Sequence, residues 1–295
     1  MFIISAGAGL GNQMFEYAFY LKMQSVYKRS VIKLDTQYAF PKAHNGYEVE
    51  RVFGLSSEKA ALEEVRELAD VDYLAFFGRR DKLLSRLRRK LKLHKNSFVM
   101  QVDFTEYYES FFDLNENESK YLYGPFANSR YFEDIKDEVL KAFTFPAPDK
   151  KTEEIARRIS ETTSVSIHLR RGDYVSDGVK LFGSEYYNRA IDRLSDITGI
   201  DKESMTFFVF SDDPGAAKSV FKGLENVYFI EGNSGSDSFR DMQLMSMCDH
   251  NIIVNSTFGF WGAYLNKNSN KVVIGTKKPF PGFKYPFTCD DWVLI

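Results

Sequence analysis

The chain has 295 residues, 44% hydrophobic and 27% charged, the composition of a folded globular protein long enough for two domains of ordinary size. A formal net charge of −2 excludes a general affinity for nucleic acid, and two cysteines, Cys248 and Cys289, exclude a disulfide framework. No apolar run approaches the roughly 20 residues of a membrane span, and "MFIISAGAGLGNQ" lacks the basic start and cleavage site of a signal peptide, so the expected location is a reducing cytoplasm.

In chain order, Phe2–Ser5 is an apolar run predicted as a strand, followed by the turn "AGAGLGNQ". Met14, Tyr17, Ala18 and Leu21 recur at helical spacing, and Val31–Asp35 reads as a second strand. Strand, glycine turn, helix and strand make half of a nucleotide-binding α/β unit. The G-x-G-x-x-G fingerprint is incomplete: counting from Gly7 its last position is Asn12, and counting from Gly9 it is Met14. A nicotinamide or flavin site is therefore not expected, although Asp35 stands where the ribose-binding acid would lie. The turn still suits a phosphate through free backbone N–H groups and the helix dipole, with Asn12 and Gln13 offering amide donors at its mouth.

The middle of the chain carries "SFVMQVDF", predicted as a strand, and "SRYFEDIKDEVLKAF", predicted as a helix. Between them and the N-terminal unit, Arg79–Lys95 holds nine Lys/Arg against one acid, +8 locally and so −10 for the remainder (−2 − 8). Leu83, Leu84, Leu87 and Leu91 share one helical face. Such a basic amphipathic helix fits an anionic membrane surface. It fits equally a solvated helix whose leucines dock on its own domain, and the narrow stripe of four leucines favours that second reading.

"TFPAPDKK" (144–151), with two prolines followed by charge, reads as a linker. It divides the chain into residues 1–145 and 152–278, with a Pro- and aromatic-rich tail at 279–295 packing back on the fold. Beyond the linker, strand-like "SVSIHL", "FFVFS", "VYFI", "NIIVN" and "KVVIG" alternate with helical patterns. They predict an α/β fold with a parallel sheet covered on both faces.

The chemistry concentrates where these strands end. In "SIHLRRGDY", His168, Arg170 and Arg171 follow a core strand, and ligands of parallel sheets bind at the carboxyl ends of strands. Arg170 is the expected anion ligand, because guanidinium matches paired phosphate oxygens, with His168 on the same side. The Arg-Gly-Asp tripeptide inside this segment is not an adhesion motif, since it abuts a core strand. Ser256 or Thr257 is a natural N-cap for the following helix, and the same groups can take up phosphate. Asp212 and Asp213 resemble a metal pair, but adjacent side chains diverge. With His only at 44, 94, 168 and 250, no metal is expected. The junctions together predict a strongly basic anion site facing a Gly-Asn-Gln turn, suited to a nucleoside-diphosphate leaving group.

"GLGNQMFEYA", "YLYGPFANSRYF", "HLRRGDY", "FSDD" and "LMSMCDHNIIVNSTFGFWGAYLN" resemble, in order, the motifs of glycosyltransferase family 11, the bacterial-type α-1,2-fucosyltransferases. The resemblance implies a GT-B-like α/β fold of two facing Rossmann-type domains, with the acceptor on the N-terminal one and GDP-fucose on the C-terminal one. It implies inverting, metal-independent transfer, with no cofactor, to the 2-hydroxyl of a galactose-type residue in a surface polysaccharide or O-antigen. By position Arg170 would hold the pyrophosphate, supported by His168 and Arg171. Asn255, Ser256, Thr257 and Phe258 would contact the phosphate end, and Asp212 and Asp249 the nucleoside. The turn of Gly9, Gly11 and Asn12 would close over the phosphates. Asp173 leads the candidate bases over Asp177, Glu185 and Glu16, and its alternative role is a salt bridge that orients Arg170 or Arg171. Three departures from the family pattern stand out: Glu16 in place of the usual Gln, "FANSRYF", and Gly259-Phe260 in place of a Ser-Trp pair. Two alternatives remain open, a GT-B enzyme for another nucleotide sugar and a non-enzymatic sugar-binding module. The basic helix adds a further expectation, a lipid-linked acceptor at the inner membrane face.

Overall fold

A computed structural model describes residues 1–40, 44–91, 93, 95–171 and 182–295. The chain divides into two compact units, Met1–Thr144 and Phe145–Ile295. In the first unit the described elements are β1 (Phe2–Ser5), α1 (Leu10–Val26), β2 (Ile32–Asp35), α2 (Val49–Phe53), α3 (Leu62–Leu68), α4 (Arg79–Lys90), β3 (Phe98–Met100), β4 (Lys120–Tyr123) and α5 (Lys136–Ala142). The four strands form a parallel sheet in the order β2-β1-β4-β3. β1 is buried along its whole length, as a continuous apolar run in a two-sided sheet requires. Ile3, Val65, Leu68, Leu74 and Tyr121 build one core cluster. The aromatic richness of the chain fills another, where Phe19 stacks on Phe126 with ring centroids 4.0 Å apart and meets Tyr131 edge-on at 5.1 Å.

Two elements of this unit differ from the sequence expectation. β4, "KYLY", has too short a run to announce itself, yet it pairs with both β1 and β3. The predicted helix over residues 129–143 is broken into two 3₁₀ turns, Ser129–Tyr131 and Glu133–Ile135, before α5 begins. The cause is local. Asn128 accepts from the Arg130 N–H at 3.0 Å, while the consecutive rings of Tyr131 and Phe132 are both fully buried, against Phe19 and Phe15 respectively.

α4 inverts the expected orientation. Its leucines do not dock on the domain: Leu83, Leu84, Leu87 and Leu91 are 58, 59, 47 and 71% exposed. The polar face docks instead. Ser85 donates to Asp72 at 2.7 Å, Arg88 pairs with Asp70 at 2.8 Å, and Arg89 pairs with Asp72 and Tyr73. Two buried carboxylates left by the preceding 3₁₀ turn need cations, and that need outweighs the burial of a thin leucine stripe.

The second unit holds α6 (Lys150–Ser160), β5 (Thr163–Leu169), α7 (Ser184–Thr198), β6 (Met205–Ser211), α8 (Pro214–Val220), β7 (Val227–Ile230), α9 (Phe239–Met245), β8 (His250–Ile252), α10 (Thr257–Tyr264), β9 (Val273–Gly275) and β10 (Val293–Leu294). Its six strands are parallel in the order β10-β9-β8-β5-β6-β7. One face packs on Tyr186, Tyr187, Ile191 and Leu194 of α7, the other on Ile159 of α6 and Leu244 and Met245 of α9. The tail contributes β10 and lays Trp292 against Phe260, ring centroids 5.1 Å apart. Both units are thus α/β with parallel sheets, as the sequence led us to expect. The order also locates a switch point. From β5 the chain builds outward through β6 and β7, then returns to the other side of β5 to lay down β8, β9 and β10, so a crevice opens between β5 and β8 at their carboxyl ends.

In the first unit the β1–α1 turn is held by a buried acid. Glu16, 1% exposed, accepts from the Gly7 N–H at 2.7 Å, and Gly7 has no room for a side chain because a Cβ would lie 2.6 Å from Phe40. Burial raises the Glu16 carboxyl well above its ordinary range, with the Gly7 hydrogen bond opposing and nearby Asp35 adding to the rise. The folded state therefore keeps this proton at pH values where the unfolded chain has lost it, and stability falls as pH rises. Glu16→Gln retains the acceptor without the charge. We expect it to be more stable than wild type by about 1–3 kcal/mol at pH 8, with the gap closing toward pH 4, in chemical denaturation.

Candidate functional site

The carboxyl end of β5 and the start of α10, which follows β8, meet through His168. Its side chain is buried, 5% exposed, and the Tyr187 hydroxyl donates to its carbonyl at 3.2 Å. The imidazole lies 5.9 Å from the Phe258 ring, centroid to centroid, and so close to Gly259 that a Cβ there would sit 2.7 Å from Nδ1. Among the described residues Nδ1 has no hydrogen-bond partner. Burial, reinforced by the positive charge of Arg170 and opposed by Asp212, pulls the His168 pKa down to about 4. His168 is therefore neutral at physiological pH.

Beyond β5 the chain is clamped to the end of β6. One oxygen of Asp212 pairs with Arg170 Nη1 at 2.7 Å, and the other accepts from the Arg171 backbone N–H at 2.9 Å. Asp213 accepts from the Ala216 N–H at 2.9 Å, capping α8 in front of Pro214, and its other oxygen lies 3.5 Å from Arg171 Nε. The expectation of a strongly basic site needs correction here. The two arginines face two aspartates, and the neutral imidazole adds no charge. What the site offers an anion is directed donors: the Arg170 guanidinium and the first-turn N–H groups of α10. Ser256 occupies the N-cap position of α10, but its side chain caps no backbone N–H, unlike Asp149 at α6 and Asp213 at α8.

The remaining predicted residues are spread more widely. Thr257 and Phe258 open α10 beside His168. Asn255, buried, donates to the Lys278 carbonyl and so ties down the chain leading to the tail. Asp249 is not brought to the site. It precedes β8 at the opposite end of the sheet, accepting from Ser164 N and Oγ at 2.9 and 3.0 Å, with Asn268 alongside.

In the other unit, Gly9 is the N-cap of α1, and Gly11 lies in its first turn. Asn12 is partly exposed, and its side-chain amide makes no hydrogen bond among the described residues. Gln13 is consumed, donating to Ala8 and Gly46 carbonyls and accepting from the Glu48 and Val49 N–H groups. Asp35 accepts from Gln37 N, Tyr38 N and the Tyr121 hydroxyl, which leaves it no ribose role. Asp173 and Asp177 lie outside the described residues. Glu185 is exposed in the first turn of α7. Among the described residues no three His, Cys, Asp or Glu side chains come together as a metal site.

Sequence reasoning gave no site role to two contributors: Asp213 joins Arg171 while capping α8, and Gly259 makes room for His168, while Asp212, a sequence candidate, is placed against Arg170. The Asp-Pro pair was a readable helix start; a long-range ion pair and a glycine opposite a ring leave no mark in spacing.

With this geometry in place, the profile of known families decides the assignment: the model described as "Glycosyl transferase family 11" matches residues 1–285. The chain belongs to glycosyl transferase family 11. It is a glycosyltransferase. An Escherichia coli alpha-1,2-colitosyltransferase is 31% identical, over 94% of this chain and 90% of its own. The E. coli O-antigen biosynthesis glycosyltransferase WbnK is 27% identical, over 97% and 98%. The mouse galactoside 2-alpha-L-fucosyltransferase Sec1 is 27% identical over 56% of this chain and 48% of its own.

Two stability measurements probe this family 11 site. Gly259→Ala drives a methyl into the imidazole and should cost about 1–3 kcal/mol in chemical denaturation. Because His168 titrates near 4 when folded against an ordinary 6.5, the unfolded chain binds the extra proton between these values. Its contribution is complete above about pH 6.5 and is lost as pH falls toward 4, amounting to at most about 3 kcal/mol. His168→Gln should flatten the wild-type rise in unfolding free energy across that window.

Proposed function

We propose that this family 11 enzyme transfers L-fucose from GDP-fucose to the 2-hydroxyl of a galactose-type residue in a surface polysaccharide or O-antigen, with inversion and without a metal ion. The observation that carries the reading is the family match over residues 1–285. The names of the O-antigen, α-1,2- and galactoside-specific relatives support the finer terms. A second reading is favoured by one of them: the 31% relative is an alpha-1,2-colitosyltransferase, and colitose is fucose without its 3-hydroxyl.

In the proposed step the acceptor oxygen attacks the anomeric carbon from the face opposite the nucleotide. A new C–O bond forms as the bond to the β-phosphate oxygen breaks, and GDP departs with that electron pair. Arg170, held in direction by Asp212, and the α10 amides stabilise the charge growing on the phosphate. This is the work a divalent cation does elsewhere. The pairing of Asp212 and Asp213 with Arg170 and Arg171 supports assigning it to the guanidinium. His168, neutral and buried, packs the floor of the cradle rather than donating a proton. The acceptor proton needs a base, and we assign Asp173, three residues beyond Arg170. Glu16 is committed to Gly7, and Glu185 sits exposed on α7.

The test is transfer to a panel of galactosides with GDP-fucose, GDP-colitose and UDP-sugars, with and without EDTA. The expected result is a GDP-sugar-dependent α-1,2 product that survives chelation. In Arg170→Lys, turnover should fall by about 10²–10³-fold with the melting temperature retained. Preference for UDP-sugars, loss of activity in EDTA, or near-wild-type turnover in the Lys variant would each overturn the proposal.

A further inference from the structure

α4 presents an amphipathic surface turned outward. Its inward face is fixed by Ser85, Arg88 and Arg89 on Asp70 and Asp72, both carboxylates buried, and the chain beyond it is tied down where Lys95 Nζ donates to the Arg66 and Glu67 carbonyls at 2.7 Å each. The helix is therefore anchored to the unit through its polar face, with its leucines turned outward. Leu83, Leu84, Leu87 and Leu91 form one apolar strip, continued past the helix by Leu93 at 60% exposure. By helical periodicity Arg80 falls at the N-terminal end of the strip, while Arg79, Arg86 and Lys90 line one edge; all four are exposed.

Exposed leucines in such number invite a partner, and the charge says which kind. Residues 79–95 carry +8 while the remainder of the chain carries −10 (−2 − 8). Arg88 and Arg89 pair inward with Asp70 and Asp72, and Arg86 reaches Asp72 at 3.8 Å, so among the described residues Arg79, Arg80 and Lys90 are the outward cations of the helix that no carboxylate of the unit pairs with. Aliphatic side chains flanked by cations on a surface-parallel helix match a bilayer with anionic headgroups: leucines reach the acyl boundary, while Arg and Lys remain at phosphate level. A nucleic acid would meet the cations but gain nothing from the leucines. We propose that the outward face of α4 docks this glycosyltransferase on an anionic lipid bilayer. The inference does not depend on which sugar the enzyme transfers.

The test is co-sedimentation of the full chain with phosphatidylcholine vesicles, and with vesicles that also contain phosphatidylglycerol. Binding is expected to the anionic vesicles alone, weakening as salt is raised. Replacing Arg79, Arg80, Arg86 or Lys90 by Gln should lower vesicle affinity about fivefold per residue. Leu84→Ser with Leu87→Ser should abolish sedimentation while leaving thermal melting and transfer to a soluble acceptor unchanged. Because the wild-type salt and lipid dependence stands without any variant, a misfolded mutant does not blunt the test. Absence of binding, equal binding to neutral vesicles, or vesicle-free dimerisation that the leucine variant removes would overturn the proposal.

Discussion

The geometry of the donor-side unit turns on one carboxylate. Asp212 reaches from the end of β6 to the end of β5 and engages two successive residues there, the side chain of Arg170 and the backbone of Arg171. A guanidinium on a flexible stem would sample many directions at a cost in rotamer entropy each time it had to be fixed. The clamp meets that cost during folding, so the direction of the guanidinium is set in the folded chain. Everything else in the cradle is arranged round this pair: His168 is desolvated beneath it, α10 begins beside it, and Asp213 extends the same turn into α8.

The site's charge balance has a consequence for selectivity. Two arginines set against two aspartates make a poor general attractor for anions, and long-range steering is weak where the signs cancel. An anion bound there would have to be held by short-range, directional hydrogen bonds. Acidic residues cap α6 and α8, at Asp149 and Asp213, whereas α7, α9 and α10 start without a side-chain cap.

α4 illustrates the limit of pattern reading from the other direction. The segment's amphipathicity was plain, but a periodic pattern states only that a helix has two unlike faces, not which one the protein buries. The deciding terms, two carboxylates buried at Asp70 and Asp72, lie in the preceding turn and act only once the chain has folded back. An apolar stripe worth a few side chains lost to ion pairs whose disruption would strand buried charges.

The alternating strands, the glycine turn between β1 and α1 and the arginines after β5 were all legible in the amino-acid sequence, because each is a local matter of hydrophobic period, turn chemistry or residues adjacent in the chain. The family motifs were legible for the same reason. Only the tertiary structure decided that "KYLY" completes the first sheet, that residues 129–135 wind as 3₁₀ turns, and that Asp249 belongs to the far end of β8. It alone decided that Asp212 holds Arg170, and that Gly259 is small because an imidazole occupies the space above it. Those outcomes depend on partners tens of residues away, and neither side-chain period nor spacing carries information about a neighbour that arrives only when the sheet closes.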